Sequence, residues 1–204
     1  MTPHNAGKTN QMNVSLTDRE RQQTETLRTP IYEQTRELLL RLSPGRWLDF
    51  GCGNGSLLAR NQDVGKGYGY DNDPVALNLA ADRGLTVFGT WEDVPEVDLI
   101  AAIDVVEHMA AQDLLAWMKR WHQKLASGGW LLLGSSNPEC LTVWCEFWHD
   151  PQHVRPYTQC CLSAMARSAG FEESQATFRR MLPRRPLELL GKVLRRLGLT
   201  PPHG

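Results

Sequence analysis

One short stretch, residues 47–58, most constrains what this chain can fold into. It begins with an apolar segment, passes through a turn that contains Gly51, Gly53 and Gly55, and continues as the start of a helix. Glycine adopts positive φ angles readily and lets a ligand approach the backbone. The N–H groups of such a turn and of the next helix can hold a polar ligand. The stretch therefore predicts a strand, a tight turn and a helix that together bind a ligand.

The residues around the turn indicate the charge of that ligand. Asp49 precedes the glycines, and the pattern Asp-x-Gly-x-Gly-x-Gly has one residue fewer before its third glycine than the G-x-G-x-x-G fingerprint that cradles a pyrophosphate. A carboxylate repels a pyrophosphate but attracts a cation, because a charge pair at ~4 Å is worth roughly 4 kcal/mol at an effective dielectric constant of about 20. We therefore expect Asp49 and the turn to bind a ligand that carries an amino group and a sulfonium, rather than NAD. Cys52 fits in the turn because it is small.

Predicted strands and helices alternate along most of the chain. Two helices are predicted first, over 18–28 and from Pro30 to about residue 43. The predicted strands then cover 46–50, 67–71, 85–88, 97–103 and 129–135, and the predicted helices cover 55–61, 74–83, 110–126 and 158–169. Alternation of this kind predicts an α/β fold, a Rossmann-like doubly wound sheet that is mostly parallel and has helices on both faces.

Polar and aromatic residues collect where these strands end. In an open parallel sheet, ligands bind beyond the carboxyl ends of the strands. The residues at or just beyond those ends are Asp49, Asp71, Trp91, Asp104 and Ser135. Asp71 can accept hydrogen bonds from both hydroxyls of a ribose, and Asn72 lies beside it. Their common position predicts one shared site.

Two segments depart from the alternation. Residues 137–157 hold several aromatic residues, histidines and prolines without a predicted helix or strand. Loops of this length are often functional, so this one is predicted to be a lid over the site. After a predicted strand at 171–178, a basic amphipathic segment replaces the next expected strand, with seven basic residues and one acidic residue between 179 and 196.

The glycine turn, Asp71 and Asp104 with the residues after it occur in an order that resembles the class I S-adenosylmethionine (SAM)-dependent methyltransferases. The resemblance covers roughly residues 46–171 and implies SAM as the cofactor, with N-terminal helices over its pocket. It implies that adenine contacts follow the third strand, where Trp91 either stacks on the base or belongs to the core. The residues assigned to SAM binding are Asp49, Gly51, Cys52, Gly53, Gly55, Asp71, Asn72, Trp91, Glu92, Asp104 and Val105.

Two interpretations are open for the residues after the fourth strand. Asp104, Glu107 and His108 are spaced i, i+3 and i+4, which places three potential metal ligands on one helical face. The motif is similar to the Glu-x-x-Glu-His motif of ubiquinone-pathway O-methyltransferases and small-RNA 3′-terminal 2′-O-methyltransferases. That similarity implies a divalent metal such as Mg²⁺, with His153 or His149 as a further ligand. Alternatively, Asp104 lines the SAM pocket while Glu107 and His108 hold the loop together.

Three residues of the predicted lid, His149, His153 and Tyr157, are the candidates for catalysis at the methyl acceptor. Methyl transfer is an in-line displacement, and alignment alone can lower its barrier by ~7–11 kcal/mol. A histidine base beside an acceptor hydroxyl adds roughly 10²–10⁴-fold. His153 is the preferred base. The alternative is that both histidines only support the lid.

The composition sets the broad class of protein. The 204 residues carry 22 basic and 23 acidic side chains, so no overall positive charge favours a nucleic-acid partner. Five cysteines without a regular spacing favour reduced thiols and a cytoplasmic protein. Neither a signal peptide nor a membrane-spanning run is visible. We predict a disordered tail over 1–17, a methyltransferase domain over 18–178 and the basic segment over 179–204, which could contact anionic lipid.

These observations predict a SAM-dependent O-methyltransferase. The segment from residue 149 to residue 171 resembles bacterial methyltransferases of polysaccharide and other biosynthetic pathways. The expected acceptor is a hydroxyl on a small molecule, a sugar or a lipid-linked intermediate. Two other functions are open: metal-assisted methylation of an RNA ribose, and a non-catalytic SAM-binding partner protein.

Overall fold

The structure, a computed structural model, describes residues 31–139, 147–148 and 150–172. The chain divides into two units, Met1–Glu172 and Glu173–Gly204, and the fold described here is that of the first. The predicted tail, the first predicted helix, His149 and the basic segment lie outside the described residues. The predicted domain boundaries therefore stay predictions.

A single parallel sheet forms the centre of the described chain. Its five strands lie in the order β3-β2-β1-β4-β5, so the chain starts in the middle and winds outward to both sides. The strands are β1 (Arg46–Phe50), β2 (Lys66–Tyr70), β3 (Val87–Phe88), β4 (Val97–Ile103) and β5 (Leu125–Gly134). Each adjacent pair is parallel, which confirms the predicted fold class. The reversal of winding direction lies between β1 and β4, where ligands bind in sheets of this kind.

Helices cover both faces of this sheet, as predicted. They are α1 (residues 31–42), α2 (Ser56–Arg60), α3 (Pro74–Asp82), α4 (Ala111–Lys124) and α5 (Gln159–Ser168). Two short 3₁₀ helices, Trp91–Asp93 and Val106–His108, follow β3 and β4. Thr158 caps α5 as predicted, because its hydroxyl accepts a hydrogen bond from the backbone N–H of Cys161 at 3.3 Å.

Successive strand residues pack on opposite faces and so build two cores. On one face, strand residues pack against α4 and α5; this cluster includes Leu48, Ile100, Ala102, Leu114, Met118 and Trp121. On the other face, strand residues pack against α1 and α2; this cluster includes Leu39, Trp47, Leu57, Leu58, Leu99 and Ala101. Strands buried on both faces explain why their sequences are continuous apolar runs rather than alternating ones.

Several predicted boundaries are wrong, most of all around β5. This strand begins at Leu125, directly after α4 ends at Lys124, and not at residue 129. Val97 pairs with Leu125 but Leu99 pairs with Trp130, so β5 bulges between the two pairs. Gly128 adopts a φ of 76° inside this bulge. The strand predicted to begin at residue 129 is therefore the second part of a longer strand that contains a bulge.

Smaller differences appear at two other strands. β3 is limited to Val87–Phe88, whereas 85–88 was predicted. Phe171 and Glu172, the first two residues of the strand predicted over 171–178, are not in a strand, and the remainder lies outside the described residues. Among the described residues, no helix has the length and apolar character needed to cross a bilayer.

Candidate active site

The glycine turn connects β1 to α2 and lies beside the carboxyl end of β2. Gly51, Gly53 and Gly55 have φ angles of 77°, 51° and 77°, the region that side chains with a Cβ rarely adopt. The backbone N–H groups of Gly51 and Cys52 both donate to the carbonyl of Tyr70, at 2.8 and 3.0 Å. The predicted turn is therefore present, and its path is fixed by hydrogen bonds to the neighbouring strand.

Each glycine of the turn has a different steric surrounding. A Cβ on Gly51 would lie 2.5 Å from a methyl group of Val105, and a Cβ on Gly55 would overlap Leu85. A Cβ on Gly53 would have no atom within 4 Å, so it would point into open space. Gly51 and Gly55 are thus required by packing, whereas the space in front of Gly53 is available to a ligand.

Asp71 lies directly beside this open space. One oxygen of its carboxylate accepts a hydrogen bond from the N–H of Gly53 at 2.8 Å, and the other accepts one from the N–H of Asp73 at 3.0 Å. The side chain is therefore aimed at the turn. This places the predicted ribose acceptor next to the glycine that leaves room for a ligand.

A second acidic residue, Asp49, lies near the turn. It is only 4% exposed. Burial raises the pKa of the Cys52 thiol well above its usual range, and the nearby charges of Asp49 and Asp71 raise it further. Two carboxylates near the turn favour a cation. A ligand with an ammonium and a sulfonium group would therefore suit the charge of the site.

Asp104 directly follows β4 and has an unusual backbone conformation. It has a φ of 54°, an uncommon value for a residue with a side chain. Its N–H donates to the carbonyl of Gly134 at 2.8 Å, which joins the ends of β4 and β5. Strained backbone of this kind often occurs at functional sites. The next residue, Val105, packs on Gly51, so the loop after β4 contacts the glycine turn as predicted for one shared site.

Trp91 lies in an aromatic cluster within the core. It is 7% exposed, and its ring meets those of Phe50, Tyr70 and Trp117 edge to face, with centroids 5.3–5.8 Å apart. Arg120 lies 5.7 Å from the centre of the indole. This position agrees with the alternative that Trp91 belongs to the core, and stacking on adenine stays a prediction.

Glu92, the neighbour of Trp91, is held by a cation. Its carboxylate accepts a hydrogen bond from Arg120 at 2.8 Å on the surface. Asn72 follows Asp71 at the partly exposed end of β2. The roles of both residues in cofactor binding stay predictions.

Glu107 is a buried carboxylate that joins three segments of the chain. It is 2% exposed, and its side chain accepts a hydrogen bond from the hydroxyl of Ser135, just beyond β5, at 3.0 Å. Its backbone carbonyl accepts from the N–H groups of Val154 and Arg155, at 2.8 and 3.2 Å. Glu107 therefore fixes residues 150–157 against the loop after β4. These contacts agree with the prediction that Glu107 holds the loop together.

His108 and His153 lie side by side beside the loop after β4. Their ring centroids are 4.7 Å apart. Together with Asp150 they offer three potential ligand atoms within 4.8 Å of one another. The set predicted for a metal was Asp104, Glu107, His108 and His153, and the structure groups only the two histidines of that set. Asp150 was missed, although it lies three residues before His153 in the sequence.

Tyr157 has a structural position in this arrangement. It is buried, and its hydroxyl donates a hydrogen bond to the carbonyl of Met109 at 2.8 Å. Burial also raises the pKa of the phenol, which keeps it protonated. Tyr157 thus anchors the segment before α5, and its catalytic role stays a prediction.

Comparisons with known proteins agree with the fold. The sequence model of a methyltransferase domain family matches residues 21–175, which is more than half of the chain. The chain belongs to this methyltransferase family. No curated protein matches the sequence. The fold of this chain is that of the class I SAM-dependent methyltransferases, as the sequence resemblance implied.

Solved structures share the fold at low sequence identity. A SAM-dependent methyltransferase from Archaeoglobus fulgidus matches with a TM-score of 0.64 and 17% identity, over 86% of this chain and 90% of its own. Human N-acetylserotonin methyltransferase in complex with SAM has a TM-score of 0.64 and 17% identity over 79% of this chain, which spans only 53% of the human one. A cyclopropane synthase from Mycobacterium tuberculosis has a TM-score of 0.60 and 21% identity, over 80% of this chain and 68% of its own. Such neighbours differ in chemistry, so they support the fold and not a substrate.

The buried thiol of the methyltransferase's glycine turn gives a first prediction. We expect iodoacetamide at pH 8 to alkylate Cys160, which is exposed, far faster than Cys52. Only the thiolate reacts, and a raised pKa leaves almost none of it at Cys52. Peptide mass spectrometry over time measures both rates, and unfolding in denaturant should make them similar. Equal labelling in the folded protein would contradict the described environment of Cys52.

Proposed function

We propose that this methyltransferase transfers the methyl group of SAM to a hydroxyl oxygen of a small molecule, a sugar or a lipid-linked biosynthetic intermediate. The observation that carries the proposal is the pair of imidazoles at His108 and His153. His108 belongs to the short helix that directly follows Asp104 and Val105, so the pair lies beside the end of β4. A hydroxyl must lose its proton during methylation, and imidazole is the side chain best suited to assist near neutral pH.

The hydrogen bonds of His153 orient its ring toward such a role. Nδ1 lies 2.6 Å from the carbonyl oxygen of Phe147. A carbonyl only accepts hydrogen bonds, so Nδ1 carries the proton and Nε2 keeps a lone pair in the neutral ring. That lone pair can accept a hydrogen bond from the hydroxyl of an acceptor. The position of the ring therefore supports His153 as the residue that holds and orients this hydroxyl.

Apolar side chains next to the histidines support an acceptor with an apolar part. Trp148 is 58% exposed and Val154 is 52% exposed, and both belong to the segment that carries His153. The ring of Phe147 lies 5.0 Å from that of Trp148 and 4.5 Å from that of His153. Exposed apolar surface beside polar groups is typical of ligand sites. A phenol, or a sugar attached to a lipid, would use both kinds of contact.

Product analysis tests the proposal directly. The full chain is incubated with SAM carrying a ¹³C-labelled methyl group and with pools of phenols, glycosides and lipid-linked sugars. NMR of the products then identifies the atom that received the methyl group. Methyl ethers are expected. Products methylated only on nitrogen or carbon would contradict the proposal.

Replacing His153 with alanine should lower kcat for the accepted substrate by about 100-fold, because a positioned imidazole typically contributes 10²–10⁴-fold. The affinity for SAM should change little, since the glycine turn and Asp71 remain intact. His122→Ala is the matched control, because that histidine lies on α4 and packs against Phe171, with ring centroids 5.0 Å apart. Steady-state kinetics and SAM titration measure both effects. Near-normal turnover of His153→Ala would refute the assigned role.

A further inference from the structure

We propose that His108, Asp150 and His153 form a binding site for one divalent transition-metal ion. The proposal rests on the proposed function in one respect. With the ion bound, Nε2 of His153 would be a ligand, and the ion rather than the free imidazole would contact the acceptor hydroxyl. The site itself is defined by geometry alone. No residue that binds SAM belongs to it, so metal binding can be measured without any methyl transfer.

The three side chains are already close to a ligand arrangement. One potential ligand atom of each lies within 4.8 Å of the others, and Nε2 of His153 lies 3.9 Å from an oxygen of Asp150. Donors bound tetrahedrally at about 2.1 Å from an ion are roughly 3.4 Å apart. Movements of about an ångström would therefore close the site around an ion, and rotation of side chains can supply them.

A backbone carbonyl oxygen lies close to Nδ1 of each imidazole ring. Nδ1 of His153 lies 2.6 Å from the carbonyl oxygen of Phe147, and Nδ1 of His108 lies 3.3 Å from that of Gln152. Histidines that bind metals almost always donate their second ring N–H to a carbonyl or carboxylate, which fixes the tautomer and the direction of the ring. These contacts assign Nε2 of each ring to the ion.

The backbone around Asp150 also holds the site in place. The carboxylate of Asp150 accepts a hydrogen bond from the N–H of Gln152 at 2.8 Å, and its carbonyl accepts one from the N–H of His153 at 3.2 Å. The same segment is attached to the carbonyl of Glu107, the neighbour of His108, through Val154 and Arg155. Ligands that are distant in sequence are thus brought together by backbone contacts that do not involve an ion.

The donor atoms indicate the class of metal. Two imidazole nitrogens and one carboxylate suit Zn²⁺, Co²⁺, Fe²⁺ or Mn²⁺. Mg²⁺ prefers oxygen ligands and keeps several waters. The ion expected from the sequence resemblance, Mg²⁺, therefore does not fit this set. Asp104 and Glu107 lie outside the group of three, and the side chain of Glu107 is bonded to Ser135.

Cobalt titration of the full chain, stripped with EDTA, tests the site. We expect one Co²⁺ per chain, with visible absorption of the low-coordinate ion. His108→Ala, Asp150→Asn and His153→Ala should each weaken the affinity by at least about 10-fold. His122→Ala should bind as the unmodified chain does. Circular dichroism confirms that each variant is folded, and Asp150→Asn, at a half-exposed side chain, keeps the test valid if a histidine variant fails to fold.

Specific results would overturn the inference. These are the absence of cobalt binding, an affinity in all three variants equal to that of the unmodified chain, or a sulfur-to-cobalt charge-transfer band, which would assign the ion to cysteines. The proposed function fails separately. Methyl ethers made by a chain that binds no metal would remove only the metal site, whereas metal binding together with nitrogen-methylated products would remove only the hydroxyl acceptor.

Discussion

Replacing Asp71 with alanine is expected to weaken the binding of SAM by at least about 100-fold. Its carboxylate holds the glycine turn through the N–H of Gly53 and is the predicted acceptor of both ribose hydroxyls. Hydrogen bonds to a charged group are worth about 1.5–3 kcal/mol each, so the loss of two corresponds to roughly 100-fold or more. Isothermal titration with SAM measures the dissociation constant.

Asp82→Asn is the matched control for this change. Asp82 is an exposed carboxylate at the end of α3, so its neutralisation alters the net charge in the same direction. Its affinity for SAM should stay within about twofold of the unmodified chain, since surface substitutions away from a site have small effects. If Asp71→Ala and Asp82→Asn bind SAM equally well, Asp71 is not the ribose ligand.

The second large effect is expected at Gly53. Alanine at this position places a methyl group in the open space before the turn, so SAM should bind at least about 10-fold more weakly. The loss of folding stability should be small, about 1–2 kcal/mol, because the φ of 51° disfavours a side chain while no atom clashes with it. Thermal unfolding and SAM titration measure the two quantities separately.

Gly84→Ala separates the two causes. Gly84 also has a positive φ, 76°, and a Cβ there would have no atom within 4 Å, but it follows α3 and does not belong to the glycine turn. Both alanine variants should lose similar stability, whereas only Gly53→Ala should lose affinity for SAM. Equal affinities for SAM in the two variants would mean that the ligand does not occupy the space in front of Gly53.

The sheet and the glycine turn could be predicted because their signals are local. The glycines of the turn are required by positive φ angles, and Asp71 follows its strand directly. Continuous apolar runs then identify the strands of a doubly covered sheet. These features depend on neighbouring residues, so the sequence alone contains them.

What was missed depends on tertiary contacts. Asp150 joins the histidines only because residues 150–155 are attached to the carbonyl of Glu107. The sequence left two alternatives open for Trp91, and its contacts with rings from α4 and two strands are visible only in the fold. The bulge in β5 depends on its pairing with β4. None of these contacts has a pattern in the sequence itself.

We infer that the carboxyl ends of β1, β2 and β4 form a site for a cationic methyl donor. Calorimetric titration of the purified chain with S-adenosylhomocysteine and with SAM tests it most directly. We expect one saturable site for each compound, with an affinity that Asp71→Ala removes and Asp82→Asn preserves. A chain that is folded by circular dichroism but shows no heat of binding with either compound would contradict the assignment of this site.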